Sequence, residues 1–195
     1  NNSFQKIDFS IFDYSLYIFT TLIITAAGNM INDYFDIKAD RINKPEQLIV
    51  SKYLKKRWVI LFHLILNSIA VLISIYLSLK YNSFLFVFIH LASMNLLWFY
   101  SIYLKRKIII GNLTLAFLGS CIPLLAVWFF RIANESTKTF SSYDPETWTT
   151  HLDYSFIYFL SICTFLQFLA HEILKDINEI NGDKIIHVYS LPMKY

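Results

Sequence analysis

The sequence predicts an all-α membrane protein, a bundle of transmembrane helices. Hydrophobic residues make up 56% of its 195 residues and charged residues only 16%, which is far more apolar than an ordinary soluble domain. Five long segments carry no charged residue: 14–30, 58–79, 83–104, 108–130 and 154–171. Each is close to the roughly 20 residues that an α-helix needs to cross about 30 Å of hydrocarbon. We therefore expect five membrane spans.

The first span leads directly into a stretch with regularly spaced acidic residues. Asp33, Asp36 and Asp40 follow one another at intervals of three and four residues, so that together with Asn29 they lie along one face of a helix. Like charges at this spacing repel each other, and a bound cation relieves the repulsion. A row of oxygen ligands at a membrane edge suits Mg²⁺, which usually binds through one or two carboxylates plus substrate phosphates. The alternative is a solvated helix end with acidic decoration.

The second, third and fourth spans set the topology. Only residues 80–82 separate the second span from the third, which predicts a tight turn and an antiparallel hairpin. The polar segment 131–153 after the fourth span is expected to be an external loop. Thirteen of the 17 basic residues lie at the end of the bundle to which the first, third and fifth spans lead. Basic residues are enriched in cytoplasmic loops, so this end is predicted to be cytoplasmic.

The fifth span is followed by a second acidic stretch with the spacing of the first. Asp176, Glu179 and Asp183 again stand three and four residues apart. Both triads follow an odd-numbered span, so both are expected at the same end of the bundle. A shared spacing and a shared membrane face favour a joint site over two unrelated acidic patches. Two such triads could hold two or three Mg²⁺ ions, and those ions could bind the oxygens of a diphosphate.

A membrane setting suits one kind of diphosphate chemistry. Once its charge is neutralised, a diphosphate esterified to an allylic isoprenoid becomes a leaving group and leaves a delocalised carbocation. A cavity among membrane helices would keep water from that cation, and aromatic faces would stabilise it. The expected partners are the lipid bilayer, a prenyl diphosphate and a lipophilic acceptor. The basic residues lie in loops and form no continuous stripe, so no nucleic-acid partner is expected, and no protein partner is predicted.

Several segments resemble signatures of the UbiA superfamily of intramembrane prenyltransferases. NDYFDIKADRINKP (32–45) is similar to its first aspartate-rich motif and KDINEINGDK (175–184) to its second. YSIYLKRKIIIGN (100–112) is similar to a tyrosine and Leu-Lys-Arg signature, and residues 190–192 are similar to a Thr-Leu-Pro that often follows the second motif. The resemblance implies a bundle of about nine helices. We therefore expect residues 1–195 to form a single transmembrane domain that is incomplete at both ends, in a bacterial inner membrane.

The resemblance also implies roles for individual residues. Catalysis is expected to depend on Asp33, Asp36, Asp176 and Asp183. Magnesium is expected to bind to these four residues and to Asp40 and Glu179. Substrate contacts are expected from Asn29, Asn32, Lys44, Tyr100, Lys105, Arg106 and Lys175.

Two details qualify the phosphate contacts. Family members often continue the first motif into an Arg-Pro pair, whereas Gln47 stands in this region of the chain. Either Lys44 or Lys52 replaces that positive charge, or the charge is absent from this protein. Lys105 and Arg106 are open to a second interpretation as cytoplasmic membrane anchors.

The predicted function is an integral-membrane prenyltransferase that depends on Mg²⁺, with a quinone precursor or a prenylated glycerol phosphate as the acceptor. A CDP-alcohol phosphotransferase also sets aspartates at a membrane edge, but it needs Gly, Ala and Arg at set positions between them, and that pattern is missing here. A divalent-cation transporter or channel would carry acidic residues near mid-span. None of the five uncharged segments contains one.

Polar residues within the spans are expected to face the interior of the bundle. They are His63, Asn67, His90, Asn95 and Gln167. His171 and Glu172, which precede the second triad by one turn, are candidates for contact with an acceptor.

Overall fold

The computed structural model describes residues 10–138 and 154–184. Within these ranges the chain forms five α-helices: α1 Ile11–Asn43, α2 Lys56–Lys80, α3 Leu85–Ile102, α4 Ile110–Lys138 and α5 Tyr154–Asp183. A short 3₁₀ turn, Leu104–Arg106, joins α3 to α4, and the described residues contain no β-strand. All five helices include a segment long and apolar enough to cross a membrane. The predicted all-α class and the five predicted spans are therefore confirmed.

Helix α1 is longer than the uncharged segment 14–30, because it continues through the acidic stretch. Ser10 caps its start through its side chain. The helix ends at Asn43, where the N–H of Lys44 still donates to the carbonyl of Asp40 at 2.9 Å. Pro45 follows, and a proline disfavours helical backbone in the residue before it. The first acidic triad therefore stands on the same continuous helix as the first span.

Helices α2 and α3 form the predicted antiparallel hairpin. Only residues 81–84 connect them, close to the turn expected at residues 80–82. Asn82 has a φ of 48°, in the left-handed region that asparagine tolerates better than most residues. The tight turn predicted between these spans is confirmed.

Buried aromatic residues and a buried carboxylate hold the end of the bundle where the α2–α3 turn lies. The rings of Tyr17 and Phe129 stack with their centroids 4.8 Å apart. Asp13 is fully buried, accepts a hydrogen bond from the hydroxyl of Tyr81 at 2.8 Å and lies 2.5 Å from the amine of Lys80. Burial and the hydrogen bond to Asp13 raise the pKa of Tyr81 above its ordinary value. This network ties the start of α1 to the hairpin.

Helices α4 and α5 pack along each other, and α5 also contacts α1. A Cβ atom at Gly119 would lie 2.6 Å from the ring of Phe168, so the glycine allows α4 and α5 to approach closely. Helix α4 continues to Lys138. The external loop predicted from residue 131 is therefore wrong for residues 131–138, and its remainder, 139–153, lies outside the described residues.

The prediction for polar residues within the spans is correct in part. His63 and His90 are buried, and Asn67 is half-buried and hydrogen-bonded to His63. Asn95 and Gln167 are exposed, so the expected interior position is wrong for these two. Asn95 donates its amide hydrogen bond within its own helix, to a carbonyl one turn earlier.

Candidate active site

A polar cavity of about 210 Å³ lies between the C-terminal parts of α1 and α5, and the loop that follows α1 forms part of its wall. It is lined by Asn32, Asp33, Asp36, Asp40, Lys44, Gln47, Leu48, Ile49, Val50, Lys175 and Glu179. The structure thus brings together side chains from both acidic motifs, which lie about 140 residues apart in the chain. Seven of the residues predicted for the site line this one cavity.

The central carboxylate on the α1 side is Asp36. It is only 5% exposed and forms an ion pair with Lys105, which the 3₁₀ turn supplies. Asn32, one turn earlier, donates to the Oδ2 atom of Asp36 at 2.7 Å. Burial by itself lowers the pKa of Lys105, but the charges of Asp36, Asp183 and Glu179 raise it above its ordinary value. Lys105 therefore remains charged beside the carboxylates.

The second triad faces the first from α5. The carboxylate of Glu179 is buried and pairs with Lys44, directly after the end of α1. Asn112, at the start of α4, donates to the Oδ2 atom of Asp176 at 2.8 Å. Asp183 is only 1% exposed, and its Oδ1 atom has no hydrogen-bond partner among the described residues. Two members of the second triad are therefore held from outside α5, Glu179 by Lys44 and Asp176 by Asn112.

Six of the residues predicted for the site do not line the cavity: Asn29, Tyr100, Lys105, Arg106, Asp176 and Asp183. Asn29 and Arg106 are exposed and do not line it. Tyr100 is buried within α3. Residues 190–192 lie outside the described ranges.

Three residues that position the site were not identified from the sequence: Asn43, Asn112 and Gly182. Asn43 makes two hydrogen bonds to the main chain of α5. The sequence did not reveal these residues because their hydrogen-bond partners lie far away along the chain. Asn112 lies 64 residues from Asp176, and Asn43 lies 139 residues from Gly182. Helical periodicity relates residues one or two turns apart and carries no information about such contacts. The available signal was that all three stand inside the motif-like segments.

The oxygen atoms of this site fit Mg²⁺ that is shared with an anionic ligand. Within residues 10–138 and 154–184, the six carboxylates of the two triads face three lysines, Lys44, Lys105 and Lys175, which leaves an excess of negative charge. The Oδ1 atoms of Asn32 and Asp183 are buried with no hydrogen-bond partner in the described part of the chain. Among the described residues, no three His, Cys, Asp or Glu side chains converge enough to hold a metal ion by themselves. Mg²⁺ commonly completes such a site with waters and substrate phosphates.

The fold and the site define a class of protein: an integral membrane protein of several spans, with two opposed acidic helix faces around a polar cavity at one end. The comparison with known families agrees with this class. The model described as "UbiA prenyltransferase family" matches residues 5–195. The chain belongs to this family, as its motifs predicted.

Individual relatives carry the same family signal. The chain is 31% identical to the digeranylgeranylglyceryl phosphate synthase of Thermococcus sibiricus over 183 residues, which are 92% of this chain and 55% of that protein. It is 30% identical to the synthase of the same name from Methanothermobacter thermautotrophicus, over 97% of this chain and 57% of that protein. A solved structure described as concerning digeranylgeranylglyceryl phosphate synthase in membranes matches with a TM-score of 0.61 and 26% identity, over 96% of this chain and 58% of that one.

The chain spans about half the length of the curated relatives that it matches. The sequence left two alternative functions open, a divalent-cation transporter or channel and a CDP-alcohol phosphotransferase. These relatives support neither of them. The assignment of residues 1–195 to a single domain stays a prediction.

Proposed function

We propose that the protein is an integral-membrane prenyltransferase that moves an isoprenoid chain from an allylic prenyl diphosphate to a prenylated glycerol phosphate. The observation that carries the proposal is a polar cavity in which carboxylates of both motifs stand beside lysines. Membership of the family supports the reaction type. The names of the two relatives support the glycerol phosphate acceptor, whereas neither supports a quinone precursor.

In this proposal the two triads hold Mg²⁺ and the lysines bind the phosphates. The ligands would come from Asp33, Asp36, Asp40, Asp176, Glu179 and Asp183. Bound Mg²⁺ supplies Lewis-acid stabilisation of the departing diphosphate. Lys44 and Lys175 line the cavity, where their amines can donate charge-assisted hydrogen bonds to phosphate oxygens. Lys105, paired with Asp36, adds a third positive charge at the same place.

The chemical step exchanges one carbon–oxygen bond for another. The bond between C1 of the isoprenoid and the diphosphate oxygen breaks, and its electron pair leaves with the diphosphate. A hydroxyl oxygen of the acceptor forms the new bond to C1, and the hydroxyl proton passes to the released diphosphate. Leu48, Ile49 and Val50 give the cavity an apolar wall, which would exclude water from the carbocation and receive the isoprenoid chain.

The distribution of basic residues supports a cytoplasmic position for the cavity. Lys52, Lys55, Lys56 and Arg57 are exposed in and just after the loop that follows α1, at the cavity end of the bundle. Positively charged loops favour the cytoplasmic side of a membrane. The relatives reported above come from archaea, so they give no support to the bacterial inner membrane expected from the sequence.

Activity of the full-length protein in lipid nanodiscs tests this proposal. With Mg²⁺, an allylic prenyl diphosphate and a prenylated glycerol phosphate, we expect release of pyrophosphate and formation of a diprenylated lipid. Asp33→Asn should slow both by about 100-fold, because a charged group at the diphosphate site is lost. Asp33 is a sharper choice than Asp36, whose removal would also leave Lys105 buried without its counter-ion.

Glu46→Gln provides the matched control. Glu46 is exposed and does not line the cavity, so this variant should keep the wild-type rate. Equal rates in Asp33→Asn and wild type would contradict the site assignment, and full activity in a metal chelator would contradict the role of Mg²⁺. Transfer to 4-hydroxybenzoate instead of the glycerol phosphate would contradict the acceptor class alone.

A further inference from the structure

The side chain of Asn43 links the two helices that carry the acidic motifs. Its Nδ2 atom donates to the main-chain carbonyl of Glu179 at 2.9 Å, and its Oδ1 atom accepts from the main-chain N–H of Gly182 at 2.8 Å. Both bonds have ordinary amide geometry. Helix α5 is also restrained by its packing along α4. Because the two bonds hold points three residues apart, they restrain both the separation of α5 from α1 and the rotation of α5 about its axis.

The close approach at this contact depends on the absence of a side chain at residue 182. A Cβ atom on Gly182 would lie 2.5 Å from the carbonyl oxygen of Ala39 and 2.6 Å from the Cγ atom of Asn43, whereas ordinary contact begins at 3.4 Å. One of these atoms is main chain, so a rotamer change alone cannot relieve the clash. An alanine at residue 182 would therefore force the helices apart by about 1 Å.

The contact lies within the acidic faces. Asp40 precedes Asn43 by three residues on α1, and Glu179 and Asp183 belong to the same turn of α5 as Gly182. The next residue along, Lys44, pairs with the carboxylate of Glu179. Any shift at Asn43 therefore changes the spacing between the carboxylates of α1 and those of α5 directly.

We propose that Asn43 is a positioning residue that sets the separation of the two acidic faces, so that carboxylates from both helices can act on one metal diphosphate. This inference rests on the proposed function. Displacement of a catalytic group by about 1 Å can cost as much as 100-fold in rate. Loss of a group that orients metal ligands typically costs 10- to 100-fold in metal affinity.

Binding of inorganic pyrophosphate in the presence of Mg²⁺, measured by calorimetry on the full-length protein in nanodiscs, tests the inference without turnover. Asn43→Ala should raise the Kd by about tenfold or more, and Gly182→Ala should raise it in the same direction. The double variant should show less than the product of the two effects, because both substitutions act at one contact. Asn178→Ala, on an exposed position of the same helix, should leave the Kd unchanged.

The melting temperature without ligand separates positioning from folding. A lower melting temperature for Asn43→Ala with an unchanged Kd would show that the residue only stabilises the bundle, and would overturn the inference. Independent, multiplicative effects of the two substitutions would overturn it as well. If Asn43→Ala does not fold, Gly182→Ala gives the same test. A wild-type protein that binds no pyrophosphate with Mg²⁺ would contradict the proposed function itself, whereas equal binding by wild type and Asn43→Ala would contradict only the role of Asn43.

Discussion

Lys105 and Arg106 are neighbours in the chain, yet only Lys105 reaches the acidic residues. Its side chain is 10% exposed and pairs with Asp36, whereas Arg106 is exposed. Both residues belong to the 3₁₀ turn, where successive side chains point about 120° apart. The two interpretations that the sequence left open for the pair therefore separate. Lys105 fits a role at the site, and Arg106 fits a membrane anchor.

This difference leads to a prediction for paired variants. Lys105→Gln removes the counter-ion of a buried carboxylate, so it should destabilise the protein by about 3–5 kcal/mol and slow pyrophosphate release. Arg106→Gln should change stability by less than about 0.5 kcal/mol and leave the rate unchanged. Thermal unfolding in nanodiscs and a pyrophosphate assay measure the two effects. If both variants lost similar amounts of stability and activity, the buried ion pair of Lys105 with Asp36 would not be the cause of the loss.

The sequence identified the acidic residues of the site but not the amides that hold them. Asp33, Asp36 and Asp40 could be recognised because a 3.6-residue period puts them on one helix face whatever the rest of the fold does. Asn43 and Asn112 act across long distances along the chain. Their function depends on which helices pack together, and a single sequence does not encode that in any local pattern.

At the level of elements, the sequence predicted the positions of the membrane spans correctly but did not predict where the helices begin and end. The uncharged segment 14–30 shows where α1 can meet lipid, whereas the helix itself runs from Ile11 to Asn43. Charged residues end a hydrophobic segment, but they do not end a helix. No proline occurs between Met30 and Pro45, so nothing in the backbone interrupts α1. Helix α4 likewise extends beyond its uncharged segment, to Lys138, although Pro123 lies inside it.

The close packing of α4 on α5 gives a prediction at this scale. Gly119→Val would place two methyl groups where the ring of Phe168 already lies. We expect a loss of stability of about 1–3 kcal/mol from overpacking, measured by thermal unfolding. Phe168→Ala in the Gly119→Val background should recover part of that loss, because the smaller side chain makes room.

Phe117→Val is the control for this packing test. Phe117 is 56% exposed on the same helix, so its replacement should have little effect on the α4–α5 contact. If Gly119→Val proved neutral, or if Phe168→Ala added to the loss, the two residues would not be in the tight contact described.

On the scale of the whole molecule, the two ends of the bundle differ in chemistry. One end holds the acidic cavity, and the other holds the network of Asp13 with Lys80 and Tyr81. Along α1 alone, Asp13 and Asp40 are separated by about 40 Å at 1.5 Å per residue. That distance is close to the full thickness of a bilayer with its headgroups. The lengths of the uncharged segments sufficed to predict the number of spans, whereas the proposed orientation depends on which end carries the basic loops.

The orientation can be tested by labelling single cysteines in intact cells that express the full-length protein. Cys121 and Cys163 are free thiols, and their replacement by alanine gives a background without them. In this background, Lys52→Cys lies in the exposed loop beside the cavity, and Ser83→Cys lies in the α2–α3 turn at the other end. If the basic end is cytoplasmic, a membrane-impermeant maleimide should label residue 83 in intact cells and residue 52 only after lysis. The reverse pattern would place the cavity outside the cell.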